Sequence, residues 1–283
     1  MMRSLWSASS GMLAQQTNLD TIANNLSNVN TAGYKKDTVE FKTLLYQTLQ
    51  SPSTNNVGQN KPVPAQVGLG TRTASITTVF TQGNLQETTN NSFMAIEGTG
   101  GTGFFKVRDS DGNICYTRDG SFNMQPVENG TMLCNSAGYP VLDQNNNPII
   151  LPQGYTVEDF KVDTEGNVFY VDANNDRHPL VATANGQNYN QQIGLVQFNN
   201  PSGLNSIGGN LYQPTVASGE PLEESANPGL KRSRIHQGYL EMSNVQVADE
   251  MVNMIVAQRA YEMNSKAIQA SDEMLQQANN LRG

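Results

Sequence analysis

Apolar residues recur at every seventh position at both ends of the chain. The N-terminal set is Leu5, Met12, Leu19 and Leu26, followed three residues later by Ala8, Gln15, Ile22 and Val29. The C-terminal set is Val247, Met254, Tyr261, Ile268 and Leu275, widened by Met251, Ile255, Ala257 and Ala260. This interval predicts two amphipathic helices with narrow apolar stripes. A helix cannot bury such a stripe against itself, so each one needs a partner.

Local residues suggest where these two helices end and begin. The segment Asn30-Thr31-Ala32-Gly33 offers weak helix formers and then a glycine suited to a left-handed cap, so the N-terminal helix should stop near Gly33. At the other end, Ser243 and Gln246 form a capping-box pattern, which predicts a helix start there.

The middle of the chain has the pattern of a β structure. Short alternating runs, such as Gly103–Val107 and Asn167–Val171, are separated by tight-turn signals at Asp111-Gly112, Asp119-Gly120, Asn129-Gly130 and Glu165-Gly166-Asn167. Strands joined by tight turns favour antiparallel sheets. We therefore predict an α+β fold, in which discontinuous N- and C-terminal helices form an antiparallel coiled-coil-like domain and a mainly antiparallel β domain is inserted between them.

Two irregular segments divide the chain further. Ser51–Pro64 is too rich in Pro, Asn and Ser for regular structure on its own, and Pro214–Pro228 is similarly irregular. The predicted domains are a terminal helical core domain (1–33 and 244–283), an extended connector domain (34–79 and 226–243) and a β-rich outer domain (80–225).

Composition excludes several classes of partner. The net charge is -8, and only 15% of residues are charged, against about 25% in typical proteins. Nucleic acid and anionic membranes both select clustered Lys and Arg, so neither is expected as a partner. No apolar run is long enough for a membrane span or a signal-peptide core, so we expect no membrane insertion and no cleaved signal. Cys115 and Cys134 lack metal-ligand spacing and are expected to be buried.

No pattern indicates catalysis, a cofactor or a metal. Gly98–Gly103 fits a dinucleotide fingerprint, but a strand rather than a helix is predicted after it. Asp109, Asp111 and Gly112 resemble a calcium loop, yet Arg118 falls where a bidentate Glu is required. His178 and His236 have no ligand-spaced neighbours. We therefore expect no enzyme activity and no cofactor.

Ala23–Lys36, ANNLSNVNTAGYKK, resembles the signature of the flagellar rod and hook proteins. The segment from Glu241, EMSNVQVADEMVNMIVAQRAYEM, resembles the closing segment of the same family. Gln82–Leu85 and Tyr116–Phe122 look like its body motifs. Arg3–Trp6 and Leu44–Thr48 are more similar to distal-rod members than to hook or proximal-rod members. The motif positions that we single out are Asn24, Asn25, Leu26, Asn28, Gly33, Ser243, Asn244, Gln258 and Arg259.

This resemblance implies a structural subunit that polymerises helically into the rigid, hollow distal rod of the bacterial flagellar basal body, transmits torque and encloses the export channel. It implies export by the flagellar type III apparatus and a location in the rod across the periplasm and cell wall. The implied partners are further copies of the chain, proximal-rod and hook proteins, bushing ring proteins, a rod cap and the export apparatus. The β domain would face outward.

The predicted subunit interface follows from the helical stripes, and it comprises Leu5, Met12, Leu19, Ile22, Leu26, Val29, Val247, Met254, Tyr261, Ile268 and Leu275. A rod-specific loop, marked by Ser51, Pro52, Pro62 and Pro64, would stiffen the shaft by wedging between subunits. Asn24, Asn25, Asn28 and Asn264 would bond between subunits, line the channel or form a solvated face. Two alternatives stay open: another rod or hook subunit, and a secreted β-rich hydrolase or sugar-binding module with helical tails.

Overall fold

The structure, a computed structural model, describes residues 2–50, 65–98, 102–172, 174–184, 187–227 and 229–281. The chain divides into two compact units. The first, called the helical unit below, contains Met1–Ser27, Asp37–Thr78 and Gln246–Gly283; the second, the β unit, contains Asn28–Lys36 and Val79–Val245. The predicted loop, residues 51–64, and residues 99–101 of the glycine-rich segment lie outside the described residues. The α+β fold class, with a helix at each end and mostly antiparallel strands between, is confirmed.

The helical unit contains both terminal helices and two nested hairpins. Its elements are α1 (Met2–Ser27), β1 (Asp37–Thr43), β2 (Tyr46–Gln50), β3 (Ala65–Gly68), β4 (Thr71–Thr78) and α2 (Val247–Asn280). The two outer strands, β1 and β4, pair antiparallel, and the two inner strands, β2 and β3, also pair antiparallel. Threonine is the commonest residue of the outer pair, since β-branched side chains suit the pleated surface.

The β unit carries the remaining strands. Its first nine are β5 (Leu85–Glu87), β6 (Met94–Glu97), β7 (Gly103–Arg108), β8 (Ile114–Thr117), β9 (Asn123–Val127), β10 (Gly130–Cys134), β11 (Ile150–Leu151), β12 (Phe160–Val162) and β13 (Val168–Val171). The others are β14 (Arg177–Pro179), β15 (Val181–Ala184), β16 (Gln187–Asn190), β17 (Leu195–Gln197), β18 (Asn205–Gly208), β19 (Leu211–Gln213), β20 (Leu222–Glu223), β21 (Arg234–Gln237) and β22 (Tyr239–Glu241).

A six-stranded sheet is the largest in the β unit. Its strand order is β18-β19-β8-β7-β17-β20, and all neighbours run antiparallel. Smaller sheets have the orders β11-β10-β9 and β12-β13-β14. The remaining pairs are β15-β16, β21-β6 and β22-β5.

Two apolar cores cover the two faces of β7. Phe105 packs with Phe122 in the larger core, with ring centroids 5.1 Å apart. Its neighbour Phe104 belongs to the smaller core, where its ring meets Phe80 and Phe198 edge to face. Successive side chains of a strand point to opposite faces, so one pair of adjacent phenylalanines anchors both cores. Both are fully buried.

Among the described residues, one type of tight loop recurs five times in the β unit, beginning at Asp109, Asn135, Asp143, Asp163 and Asp172. Each begins with Asp or Asn, whose carbonyl oxygen accepts a hydrogen bond from the backbone N–H of the fourth residue. That fourth residue is always in the left-handed region and is always glycine or asparagine: Gly112, Gly138, Asn146, Gly166 and Asn175. Only these residue types adopt that conformation readily. Two of these loops contain turn signals that the sequence had indicated.

Both helix boundaries differ from the sequence prediction. The first helix ends at Ser27, so Gly33 lies beyond it, although its φ of +69° is left-handed as expected. The predicted capping box was wrong: the second helix begins at Val247 after Gln246, which makes no side-chain capping bond. Instead, Ser243 Oγ accepts the N–H of Val245 within the preceding turn. The cap pattern failed because a short-range bond satisfied the serine outside the helix.

Candidate subunit interface

The two terminal helices meet along a seam of small and polar side chains. Ser4 Oγ lies 3.2 Å from Ser271 Oγ, and Asn25 Nδ2 donates to Glu250 Oε2 at 3.4 Å. Between these contacts, a Cβ added at Gly11 would lie 2.8 Å from Asn264 Nδ2. Along these three contacts, the residue number rises on α1 and falls on α2.

This seam lies one position before the apolar heptad that the sequence analysis singled out in α1. Its α1 members are Ser4, Gly11, Asn18 and Asn25, again seven residues apart. On α2 the same interval selects Glu250, Ala257, Asn264 and Ser271. Ala257 is 1% exposed, and small side chains of this kind let two helix backbones approach closely. Sequence reasoning missed this seam, although the recurrence of small and polar residues at the heptad interval was a visible signal.

The predicted interface residues on α1 and α2 flank this seam rather than fill it, and Val29 lies beyond the end of α1. Ile22 is buried, whereas Val247 and Tyr261 are 42% and 39% exposed. The others are half-buried: Leu5, Met12, Leu19, Leu26, Val29, Met254, Ile268 and Leu275. The assignment of this set to contacts between copies therefore remains a prediction.

Large, exposed apolar side chains lie outside the seam on both helices. On α1, Trp6 is 73% and Leu13 is 65% exposed, and each follows a seam residue by two positions, about 200° around the helix. On α2, the exposed set is Met251, Val252, Ile255, Val256 and Met263, each more than half exposed. We call these the α1 patch and the α2 patch.

Asn25, one of the family-motif positions, holds the start of β1. Its Nδ2 donates to the carbonyl oxygen of Asp37 at 2.8 Å, and its Oδ1 accepts the N–H of Asp37 at 2.9 Å. Asn25 is 1% exposed, whereas the adjacent Asn24 is exposed. The motif position at Asn25 is therefore explained by a two-way bond to one residue's backbone, within the helical unit.

Asn244 makes a similar connection within the β unit. Its Oδ1 accepts the N–H of Lys36 at 2.8 Å, while its Nδ2 donates to the carbonyl oxygen of Val79 at 2.8 Å and to Thr81 Oγ1 at 2.9 Å. The amide thus ties together three chain segments that are far apart in sequence.

Gly33 fits closely against the turn after β8. Its N–H donates to the carbonyl oxygen of Glu241 at 2.8 Å. An added Cβ would lie 2.6 Å from both the Cα and the backbone nitrogen of Asp119. Glycine is therefore required here for two reasons, a left-handed φ and the close approach of another backbone.

A buried cluster of three charged side chains lies beside Gly33. Glu241 accepts from Lys35 Nζ at 2.5 Å and from the N–H of Gly83 at 2.9 Å, and its other oxygen lies 3.4 Å from Arg118 Nε. All three side chains are at most 1% exposed. Burial lowers the pKa of Lys35 from 10.5 to about 8 despite the raising effect of Glu241, and burial also lowers the pKa of Arg118. Sequence reasoning quoted these residues within motifs but did not foresee their cluster.

The remaining motif residues are less buried. Asn28 Oδ1 accepts from Thr31 Oγ1 at 3.2 Å, and Ser243 is half-buried. Gln258 and Arg259 are exposed on α2, where Arg259 pairs with Glu262 at 3.0 Å. The predicted loop residues Ser51, Pro52, Pro62 and Pro64 lie outside the described residues.

The residues weighed for other chemistry have structural roles. Gly103 begins strand β7, so a strand follows the glycine-rich segment, and Asp109 begins one of the five recurrent loops. His236 Nε2 lies 2.6 Å from Glu97 Oε2 across two paired strands, and His178 stacks on Tyr170. Within the described ranges, no group of three or more His, Cys, Asp or Glu side chains is placed to hold a metal ion.

Cys115 and Cys134 are buried free thiols, as their apolar character predicted. Burial is the largest cause that raises the pKa of each. Among the described residues, no helix combines the length and the apolar character that crossing a membrane requires.

Three family models match the sequence. The flagella basal body rod protein model covers residues 5–35, the flagellar hook protein FlgE/F/G D1 domain covers 95–170, and the flagellar basal body rod FlgEFG protein C-terminal model covers 236–281. The first and last of these cover most of α1 and α2, and the middle one covers strands β7 to β12.

Similar full-length proteins agree with these matches. The flagellar basal-body rod protein FlgG of Borreliella burgdorferi is 46% identical, covering 100% of this chain and 99% of that protein. Proteins of the same name from Buchnera aphidicola subsp. Schizaphis graminum and Bacillus subtilis are 42% and 38% identical, over 99% and 100% of this chain and all of their own lengths. The terminal helices with an inserted antiparallel β unit define an axial subunit of the flagellum. The chain belongs to the flagellar basal-body rod protein family.

Proposed function

We propose that this chain is a structural subunit of the distal rod of the bacterial flagellum, which polymerises helically into a rigid, hollow shaft. The shaft transmits torque and encloses the export channel. The observation that carries the proposal is the full-length similarity to rod proteins named FlgG, together with the exposed apolar faces of α1 and α2. Contiguous apolar surface on a soluble chain marks a contact site.

The role is structural rather than catalytic. Polar side chains at the motif positions hold chain segments together, as those of Asn25 and Asn244 do. The proposed assembly places the chain in the rod across the periplasm and cell wall, after export by the flagellar type III apparatus. Proximal-rod and hook proteins would be its axial neighbours, and ring proteins and a rod cap its transient or surrounding partners.

In the proposed polymer, the pair of terminal helices forms the core of the shaft. We propose that α1 and α2 form an antiparallel coiled-coil-like pair, as the contacts at Ser4–Ser271 and Asn25–Glu250 favour. The half-buried heptad residues on its flanks, listed above as the predicted interface, would complete their burial against further copies. Full burial of a Leu or Ile side chain contributes about 1.5–3 kcal/mol, and a polymer repeats that gain in every subunit. The division into terminal, connector and β-rich domains at the predicted boundaries is part of this proposal.

Replacement of a heptad residue by a charge tests the polymer. We expect wild-type protein, concentrated and viewed by negative-stain electron microscopy, to form straight, stiff filaments. Leu19→Lys should abolish them, since the half-buried leucine lies at a contact that must exclude water. Ala23→Lys, at an exposed position of the same helix ten residues beyond Leu13, is the matched control and should assemble normally. Circular dichroism shows whether both variants keep their helices.

The alternatives predict different images. Flexible, curved polymers would indicate a hook subunit rather than a rod subunit. A secreted β-rich binding or hydrolase module would stay monomeric at every concentration, and that result would overturn the proposed function. Normal filaments from Leu19→Lys would refute the heptad interface.

A further inference from the structure

The α2 patch is left uncovered by α1 and therefore needs another cover. Val252 and Ile255 lie two positions from a seam residue, about 160–200° around the helix. Val256 and Met263 lie one position before a seam residue, about 100° around it. Met251, Val252, Ile255, Val256 and Met263 are 53–64% exposed, and all lie outside the seam occupied by Glu250, Ala257, Asn264 and Ser271. Scattered exposed apolar residues are ordinary, but five on one face of one helix form a contact surface.

The α1 patch is also left uncovered by its partner helix. Trp6 and Leu13 lie about 200° around α1 from the seam residues Ser4 and Gly11, so they too point away from the partner helix. The two patches cannot meet within one chain, because Trp6 and Leu13 lie on the side of α1 opposite α2.

The spacing of the two patches is complementary. Trp6 and Leu13 are seven residues apart, as are Val256 and Met263. With helices in opposite directions, Leu13 can pack on Val256 while Trp6 packs on Met263, and a methionine sulfur beside an aromatic ring is a favourable contact. Ile255 and Val252 would flank this pair.

We propose that the α1 patch of one copy of this chain covers the α2 patch of the next. The inference rests on the proposed function and specifies the residues that meet. Within one chain the seam places Leu13 level with Glu262, from the contact of Gly11 with Asn264. Packing Leu13 on Val256 of a neighbour therefore shifts that copy by about six residues, or about 9 Å along the helix axis. A contact between two different patches joins copies head to tail, and because this one includes a shift along the helix axis, it extends into a filament rather than a ring.

A charge exchange tests which residues meet. Leu13→Lys and Val256→Glu should each reduce the polymerised fraction, measured by sedimentation, by at least about tenfold, because each places a charge in an apolar contact. A 1:1 mixture of the two variants should recover assembly, since the introduced lysine of one chain meets the introduced glutamate of the other and the remaining contacts are native. Gln269→Glu, at an exposed position of α2, is the control and should assemble normally.

A cysteine pair provides a second measurement. A chain carrying Leu13→Cys and Val256→Cys should form disulfides between chains when the polymer is oxidised, but not when dilute monomer is oxidised. Cys115 and Cys134 are buried, so they should not compete in the folded protein.

The outcomes separate the inference from the proposed function. If wild-type protein does not polymerise, the proposed function fails. If wild-type polymerises and the mixture stays unassembled, or the cysteine pair gives no disulfide between chains in the polymer, the patch contact is wrong while the rod assignment stands. Unimpaired assembly of either single variant would refute the contact as well.

Discussion

Substitution of Gly33 should destabilise the β unit by more than its backbone conformation alone requires. An alanine in the left-handed region costs about 1–2 kcal/mol. The added Cβ of Gly33→Ala would also lie 2.6 Å from two backbone atoms of Asp119, whereas apolar atoms settle at about 3.5–4.0 Å. Forcing that separation open by about 1 Å is overpacking, which costs about 1–3 kcal/mol. The expected loss in the free energy of unfolding is therefore about 2–5 kcal/mol.

Gly112 provides the matched control. It has a φ of +83°, similar to the +69° of Gly33, but no atom lies within 4 Å of its added Cβ. Gly112→Ala should therefore cost only the conformational part, about 1–2 kcal/mol. Asparagine tolerates the left-handed region but still carries a Cβ. Gly112→Asn should thus be nearly neutral, while Gly33→Asn should keep the steric loss of about 1–3 kcal/mol.

Urea unfolding below the polymerising concentration gives the required free energies. Near-ultraviolet circular dichroism follows the aromatic cores of the β unit, where Phe104 and Phe105 are packed. Far-ultraviolet circular dichroism follows α1 and α2 and so reports the helical unit separately. The comparison is valid where the denaturant slopes of the variants agree. Equal losses at Gly33 and Gly112 for both substitutions would refute the role of the Asp119 contact.

Two further perturbations test the buried polar residues. Asn25→Ala should cost about 2–4 kcal/mol because both polar groups of the Asp37 backbone lose a partner. Asn253→Ala, at an exposed position of α2 and with the same gain in helix propensity, should stay within about 0.5 kcal/mol of wild type. Far-ultraviolet circular dichroism during urea unfolding measures both variants, and equal losses would contradict the role of Asn25. The pKa of Lys35, about 8 in the fold against 10.5 when exposed, means that the unfolded chain binds more protons between these values, so stability should rise over this pH range by at most about 1.4 kcal/mol per pH unit. Lys35→Met should lack that rise, and subtraction of the two pH profiles removes the common titration of tyrosines and cysteines. Parallel profiles would show that folding does not lower the pKa of Lys35.

Features that depend on neighbouring residues were readable from the sequence. The seven-residue interval predicted a helix at each end, and glycines after aspartate or glutamate predicted the loops at Gly112 and Gly166. The signature around Asn25 and Gly33 identified the family before any contact was known. In each case the feature depends on residues close together in the chain, so periodicity and backbone preference were enough to predict it.

The sequence did not indicate which face of each terminal helix contacts the other helix. A heptad gives the interval of a contact but does not state which of two stripes meets which partner. The apolar stripe beginning at Leu5 and the small, polar stripe beginning at Ser4 have the same period, and only the contacts of Ser4, Gly11 and Asn25 with α2 select the second. Sequence reasoning favoured the apolar stripe because burial of apolar surface is the larger average driving force.

The sequence by itself determined the helices, the antiparallel character of the strands, the turn positions and the family. The tertiary structure alone decided that Lys35, Arg118 and Glu241 share one buried site, and that Gly33 lies against the backbone of Asp119. The physical reason is the range of the interactions. Helix and turn preferences act between residues close in the chain, whereas charge pairing and backbone approach join segments separated by many residues, and the pairing of such segments is fixed only when the whole unit packs.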